Sequence, residues 1–370
     1  MKKAGKSNIL LLTLGALFLL CGALALTFAP APRYSETENR MLADTPHPSL
    51  ESLKDGSLAA ALDLYAAERF PARSTARRLR AVMALAMGQR EVRGVILCRD
   101  GSLARRIEVN DAIYAQNLAA LTRLKAQWEQ RGLTTKVAVV PRRIDVCGAL
   151  LPSLYDQEAD RAVWERLWGE LPDALSLLDC TKDTYWYRTD HHWTANGAFF
   201  AYQALGKELG YLPHNDFEVT TLTDCFYGTS DAAAGIPLVS PDSICAYRFE
   251  GDRDYRVFRD GAQAELDGFY DLSKLATRDK YAVFLGGNCG VLEVDLGADD
   301  ARPTLLLVRD SFSDSLIPFL ARHFRIIAID PRYRIPSLDA LVERADSVLM
   351  LAGMQTLTTT AFFTPLLKQK

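Results

Sequence analysis

Between residues 188 and 200 the chain reads RTDHHWTANGAFF, which sets Asp190, His191, His192 and Trp193 directly before a helical pattern. The chain holds only five histidines, and two of them stand here. Far downstream an apolar run, 304–308, leads straight into Arg309, Asp310, Ser311, Phe312 and Ser313. A serine hydroxyl is a poor nucleophile until a base takes its proton, and the base needs a third group to fix its tautomer. A carboxylate, an imidazole and a serine at a strand end supply those three parts, in whatever order they come along the chain.

Asp190 and His192 lie two residues apart. In an extended segment such residues share a side, so the carboxylate is expected to hold one ring nitrogen of His192 while the other faces Ser311. The same alternation points His191 away. The plainer reading of an isolated Asp-x-His is a helix cap beside a structural histidine. Adjacent histidines find no third ligand at a usual metal spacing, and neither a metal nor a cofactor is expected.

Ser311 falls where a buried strand meets a helix, so its hydroxyl and nearby backbone N–H groups can converge on a developing oxyanion. An N-cap serine is the plainer reading, and Ser313 or Ser315 would serve as well. Asn288, in a Gly-Gly-Asn turn, is a candidate oxyanion donor, or an asparagine kept for its turn conformation. Arg309 and Trp193 are candidate substrate-binding residues. A planar guanidinium suits the carboxylate of an acidic glycan, and an aromatic face suits a sugar ring. Their plainer readings are a surface ion pair with a neighbouring aspartate and ordinary core packing.

The elements that must position these residues alternate. Helical spacing is expected over 57–70, 74–87, 111–131, 160–168, 195–209, 316–323 and 337–344. Strands are expected over 91–97, 136–140, 281–285, 291–296, 304–308, 325–329 and 347–351, with a further apolar segment over 175–178. Near-continuous apolar strands separated by single helices predict an α/β fold with a parallel sheet flanked by helices. Ligands in such sheets bind beyond the carboxyl ends of the strands, where Ser311 falls. Residues 211–280 break the rhythm with glycines and prolines and read as an irregular, partly β insertion that shapes a groove.

With 370 residues, 49% of them apolar and 24% charged, the chain can bury a large core. A net charge of -3, with no basic stripe, gives no sign of nucleic-acid binding, and no nucleic-acid partner is expected. At the amino terminus Lys2, Lys3 and Lys6 precede an uncharged apolar run over 9–29. That run is long enough to span a bilayer, and the lysines keep its leading end in the cytoplasm. The expected organisation is a transmembrane signal anchor over 1–29, a linker over 30–56 and one α/β domain over 57–370 on the extracytoplasmic face. A cleaved signal peptide is the competing reading. Besides Cys21 there are six cysteines, which allow fifteen pairings; Cys225 and Cys245, flanking one irregular segment, are the pair singled out, beside free thiols.

The sequence resembles the DHHW family of extracytoplasmic proteins, relatives of the SGNH-like periplasmic alginate O-acetyltransferases. The segments that carry the resemblance are ENRMLA, RFPARS, VRGVILCRDGSL, TDHHWTANGAF, FLGGN, RDSFSDSLIPFLARHF and IDPRYR. In that family the Asp and His of the D-x-H-W motif pair with the Ser of the DSF motif, which implies Asp190, His192 and Ser311 as the catalytic residues here. Common SGNH enzymes have Gly-Asp-Ser where this chain has Arg309, Asp310 and Ser311, and they carry the acid and base after the serine rather than before it.

The resemblance implies an SGNH-like fold. It also implies an O-acetyltransferase, or an acetylesterase, acting on a cell-envelope polysaccharide, with a membrane-bound O-acyltransferase as the partner that supplies acyl groups. A non-catalytic glycan-binding or assembly protein of the cell envelope is the alternative. The Arg309 substitution and the aromatic group Tyr185, Trp186, Tyr187 and Trp193 would fit it.

Overall fold

The computed structural model describes residues 12–17, 20–22, 24, 34–35, 40–70, 73–237 and 239–368. About half of the expected span over 9–29 falls outside them. Among the described residues no helix is long and apolar enough to cross a membrane.

The chain forms two compact units, one of residues 1–89 with 232–237, the other of residues 90–231 with 238–370. In the first, helices Ser57–Arg69 and Arg73–Ala86 carry the alanine and leucine spacing read from the sequence. The Arg69 guanidinium donates to the Ala43 carbonyl at 2.8 Å, and that of Arg77 to the carbonyls of Ala232 and Ala233 at 2.7 Å each.

The second unit is built on an eight-stranded sheet. In spatial order its strands are Ala262–Gln263, Arg256–Arg259, Val291–Asp295, Arg325–Ile329, Thr304–Arg309, Ser347–Gly353, Thr134–Val140 and Leu175–Ser176. The last five pair in parallel, whereas the first three extend the sheet antiparallel. The sheet is therefore mixed rather than parallel throughout. Two strands of the antiparallel edge, Arg256–Arg259 and Ala262–Gln263, come from the segment read as an insertion, whose short alternating runs give no sign of which sheet they join; the third, Val291–Asp295, follows it.

Alternate residues of one strand face opposite layers, as period-two geometry requires. Leu305 and Leu307 pack with Ala198, Ala201, Tyr202 and Leu205 of helix Ala195–Leu209. Leu306 and Val308 pack on the other side with Leu118, Leu121 and Leu124 of helix Asp111–Gln130. Both helices begin on the caps expected, Asn110 accepting from Ile113 N and Thr194 from Gly197 N. Gly210 ends the second in the left-handed region at φ 76°, a conformation glycine adopts at little cost.

Three local expectations are corrected. Residues 91–97 form a hairpin, Glu91–Val92 against Val95–Leu97, rather than one strand, because Arg93 and Gly94 both take positive φ. Lys280–Val283 is a 3-10 helix and not a strand. Cys225 and Cys245 are free thiols. Cys245 stands opposite Thr221 in the pairing of Glu218–Phe226 with Asp242–Arg248, and a register shift precedes Phe226.

Candidate active site

The DHHW motif sits in a tight loop closed by a bridge between Trp186 and Trp193. Tyr187 N donates to the His192 carbonyl at 3.3 Å and Thr194 N to the Tyr185 carbonyl at 2.7 Å. The buried Asp242 carboxylate pins the loop, accepting from Arg188 N at 2.7 Å, Thr189 N at 2.8 Å and the Thr189 hydroxyl at 2.5 Å. Burial pushes that carboxyl upward in pKa, against the pull of these donors.

Within the loop the backbone bends rather than extends, so the reasoning from strand alternation does not apply. Both imidazoles turn toward Asp190, and their ring centroids lie 3.8 Å apart. The Asp190 Oδ1 accepts from His192 N at 2.9 Å and lies 2.5 Å from His192 Nδ1. Its Oδ2 accepts from Thr229 N at 2.6 Å and from the Thr229 hydroxyl at 3.0 Å. His191 Nδ1 lies 2.6 Å from that same hydroxyl. Because the Thr229 proton goes to Asp190, His191 Nδ1 must be the donor of this pair. Gly228 backs the carboxylate so closely that a Cβ would collide with it.

What separates the two histidines is the far ring nitrogen. Only His192 Nε2 meets Ser311 Oγ, at 2.7 Å. Asp190 and His192 are buried, at 1% and 5% exposure, while Ser311 is half-buried and opens the line outward.

Strand Thr304–Arg309 delivers Ser311 into a 3-10 turn, Ser311–Ser315, whose N-cap is Asp310 rather than any of the serines. The Asp310 carboxylate accepts from Phe312 N at 3.1 Å, Gly353 N at 2.8 Å and the Thr356 hydroxyl at 2.6 Å, which ties the turn to the neighbouring strand end. Tyr281 donates its hydroxyl to the Ser311 carbonyl at 3.0 Å and lays its ring flat on His192. Neither Thr229, Asp242 nor Tyr281 was legible as part of the site. They lie far from the motif in sequence, at the start of helix Thr229–Ala234, at the start of strand Asp242–Arg248 and within the 3-10 helix Lys280–Val283, with no local signal.

The two candidate substrate-binding residues are corrected. Trp193 is wholly buried, and its indole N–H donates to the Phe312 carbonyl at 2.9 Å and to Ser315 Oγ at 3.0 Å. It clamps the serine turn to the DHHW loop and offers no face to a sugar. Trp186 and Tyr187 are buried as well. Arg309 is 0% exposed and forms an ion pair with Asp314. It is neither a surface ion pair nor a glycan contact, because the strand that carries it is buried on both faces. Its guanidinium also donates to Asn288 Oδ1 at 3.4 Å. The exposed Asn288 is thus held by its oxygen, which leaves its amide N–H groups for another partner.

Burial opposes ionisation of Asp190, but the two imidazoles outweigh it and hold the carboxyl well below its usual range. For His192 burial is the largest influence, and with His191 beside it the ring is held below its usual pKa despite Asp190. A neutral His192 that donates from Nδ1 to Asp190 presents its Nε2 lone pair to the serine hydroxyl. Asp190, His191 and His192 bring donor atoms within 4.8 Å of one another. In this structure those atoms are engaged in hydrogen bonds with one another and with Thr229.

Residues 99–233 match the family model described as SGNH hydrolase-like domain, acetyltransferase AlgX. Residues 174–329 match the family model described as DHHW protein. The Pseudomonas aeruginosa protein named Probable alginate O-acetylase AlgJ is 28% identical over 184 residues, 45% of this chain and 44% of that one. The match therefore spans under half the length of that relative. A DHHW family protein from Eubacterium siraeum superposes with a TM-score of 0.59 over 75% of this chain and 96% of its own, at 18% identity. Bacillus cereus PatB1 does so with a TM-score of 0.60 over 72% and 98%, at 17% identity. These two likenesses are of fold.

Proposed function

We propose that this protein is a serine O-acetyltransferase acting on a cell-envelope polysaccharide, with Ser311 as nucleophile, His192 as general base and Asp190 as its orienting partner. The observation that carries this reading is the continuous line from Ser311 Oγ through His192 to Asp190, at 2.7 and 2.5 Å. His192 Nε2 takes the hydroxyl proton as Oγ attacks an acetyl ester, and the imidazolium returns it to the departing alcohol. A sugar hydroxyl then attacks the acetyl-serine, again losing its proton to His192, which regenerates Ser311. The Asn288 amide, freed by the anchoring of its oxygen on Arg309, and backbone N–H groups of the serine turn would bind the oxyanion.

The acyl group would come from a membrane-bound O-acyltransferase. The amino-terminal run would anchor the chain with its bulk outside the cytoplasm, as the lysines on its leading side favour. Similarity to a protein named for alginate O-acetylation supports transfer to a polysaccharide rather than to water. Labelling of the full chain with a fluorophosphonate, wild type against Ser311→Ala, tests the reading. Labelling confined to the wild type supports it, and equal labelling of both would remove Ser311 from the chemistry.

A further inference from the structure

The thiols that meet in the fold are not Cys225 and Cys245 but Cys98 and Cys147. Cys98 directly follows strand Val95–Leu97, and Cys147 caps the carboxyl end of helix Arg143–Val146. Both lie in one small apolar cluster with Ile96, Ala104, Ile144 and Leu151, at 3% and 1% exposure. Their backbones are tied as well: Arg99 N donates to the Leu150 carbonyl and Leu150 N to the Cys147 carbonyl, each at 2.8 Å. The two thiols are free in this structure and hydrogen-bond to each other. Other thiols face elsewhere, Cys289 donating to the Val291 carbonyl at 3.5 Å and Cys245 lying 3.9 Å from the Thr221 hydroxyl.

The hydrogen bond from Cys147, and then the Arg143 guanidinium, hold the Cys98 thiol down at about 7 although burial opposes them. The same bond and burial push the Cys147 thiol up. A thiolate at Cys98 is the species that attacks a disulfide, and facing side chains on tied backbones are what a disulfide requires.

The elements these cysteines would join carry the DHHW loop. Leu103 N, in the partner strand Leu103–Arg105 of the hairpin, donates to the Arg188 carbonyl at 2.8 Å. Arg143 donates to the Tyr187 carbonyl at 2.5 Å and to Ser102 Oγ at 2.7 Å. Tyr187 and Arg188 lead straight into Thr189 and Asp190.

We propose that Cys98 and Cys147 are joined as a disulfide in the exported protein, and that the bond clamps the hairpin to helix Arg143–Val146 beneath the DHHW loop. The inference rests on the extracytoplasmic placement, since disulfides persist in oxidising compartments, and not on the acyl-transfer chemistry. The oxidant is itself a disulfide, of a small thiol or of an oxidoreductase. The Cys98 thiolate attacks it, forming a mixed disulfide and expelling one thiolate; Cys147, losing its proton to water, then attacks the Cys98 sulfur and expels the second. Two electrons and two protons leave the cysteine pair, and the oxidant departs as two thiols. Because both sulfurs are buried once the chain has folded, the bond forms as hairpin and helix come together and is shielded from reductant afterwards.

Peptide mapping of the full chain tests the bond in two preparations, one refolded in a glutathione redox buffer and one isolated from cells. Each is denatured, alkylated without reduction and cut with trypsin. Residues 94–99 should be recovered joined to residues 144–161, with Cys180, Cys225, Cys245 and Cys289 alkylated. Alkylated Cys98 and Cys147 in both preparations would overturn the pairing itself. Linkage after refolding with free thiols in the chain from cells would overturn the disulfide in the exported protein, and the extracytoplasmic placement with it.

Amide hydrogen exchange tests the clamp. Over residues 186–192 it should run about tenfold or more faster in Cys98→Ala than in the oxidised wild type, while strand Ser347–Gly353 is unchanged. Equal acceleration of both segments would overturn the clamping role. Should Cys98→Ala fail to fold, Cys147→Ala carries the comparison, and the peptide map needs no variant.

Discussion

The ring of Tyr281 lies flat against the imidazole of His192, with centroids 3.9 Å apart and planes within 3°. On the same side its hydroxyl reaches the Ser311 carbonyl at 3.0 Å and Ser315 Oγ at 3.3 Å. One side chain therefore sets both the tilt of the His192 ring and the position of the Ser311 backbone. Tyr281→Phe keeps the platform and loses only the hydroxyl contacts, so it should cost about 1 kcal/mol of stability in denaturant titration. Tyr281→Ala removes a buried ring and should cost about 3–5 kcal/mol. It should also slow ester hydrolysis far more than the phenylalanine variant does. Equal slowing by the two would show that the stack does not position His192.

The two histidines share Asp190 but not Ser311. His192→Ala should lower turnover of an acetyl ester by roughly three orders of magnitude, the effect of removing a base from such a line. His191→Ala removes the hydrogen bond to Thr229 and a neighbour of the carboxylate, and its loss should be far smaller. Equal losses in two variants with unchanged circular dichroism would disprove the division of roles.

Protonation of His192 blocks its Nε2 lone pair, so activity should fall as pH drops through the pKa of this ring. That pKa is held below its usual value, first by burial and then by His191. The midpoint of the pH–rate profile should therefore lie below about 6.5, the ordinary histidine value. Asp190 is held well below the usual carboxyl range and stays ionised across this window, so a single acid limb is expected. A midpoint above neutrality would mean that Asp190 outweighs burial.

How much of this was legible depended on the range of the interaction. The helix Ala195–Leu209 could be read from Thr194, Gly210 and the apolar spacing between them, because a cap and a stop are local. The meeting of Asp190, His192 and Ser311 was inferred from residue types, although the loop that achieves it bends where an extended run was assumed. Thr229, Asp242 and Tyr281 could not be found, since each reaches the motif through tertiary contacts from an element distant in sequence. Trp193 and Arg309 were misread for one reason: polar or aromatic character suggested a surface role, and only packing reveals that both are wholly buried.

Arg309 carries the last expectation. Its ion pair with Asp314 lies in a fully buried setting, where removing one partner strands the other. Arg309→Ala should therefore destabilise the fold by about 3–5 kcal/mol. Replacing both partners, Arg309→Met with Asp314→Leu, should recover most of that loss, since a buried pair is often no better than a well-packed apolar one. Burial pushes the Asp314 carboxyl up to about 6 even with Arg309 beside it. A carboxyl raised above its unfolded value of about 3.9 contributes stability at low pH that is lost as pH rises through the folded value. In Arg309→Ala the cation's pull is gone and the folded pKa moves higher, so the loss should continue past the wild-type limit near 6. Denaturant titrations of both proteins across pH 4 to 8 would reveal this. If their stability difference does not vary over that range, Asp314 is not the group left stranded.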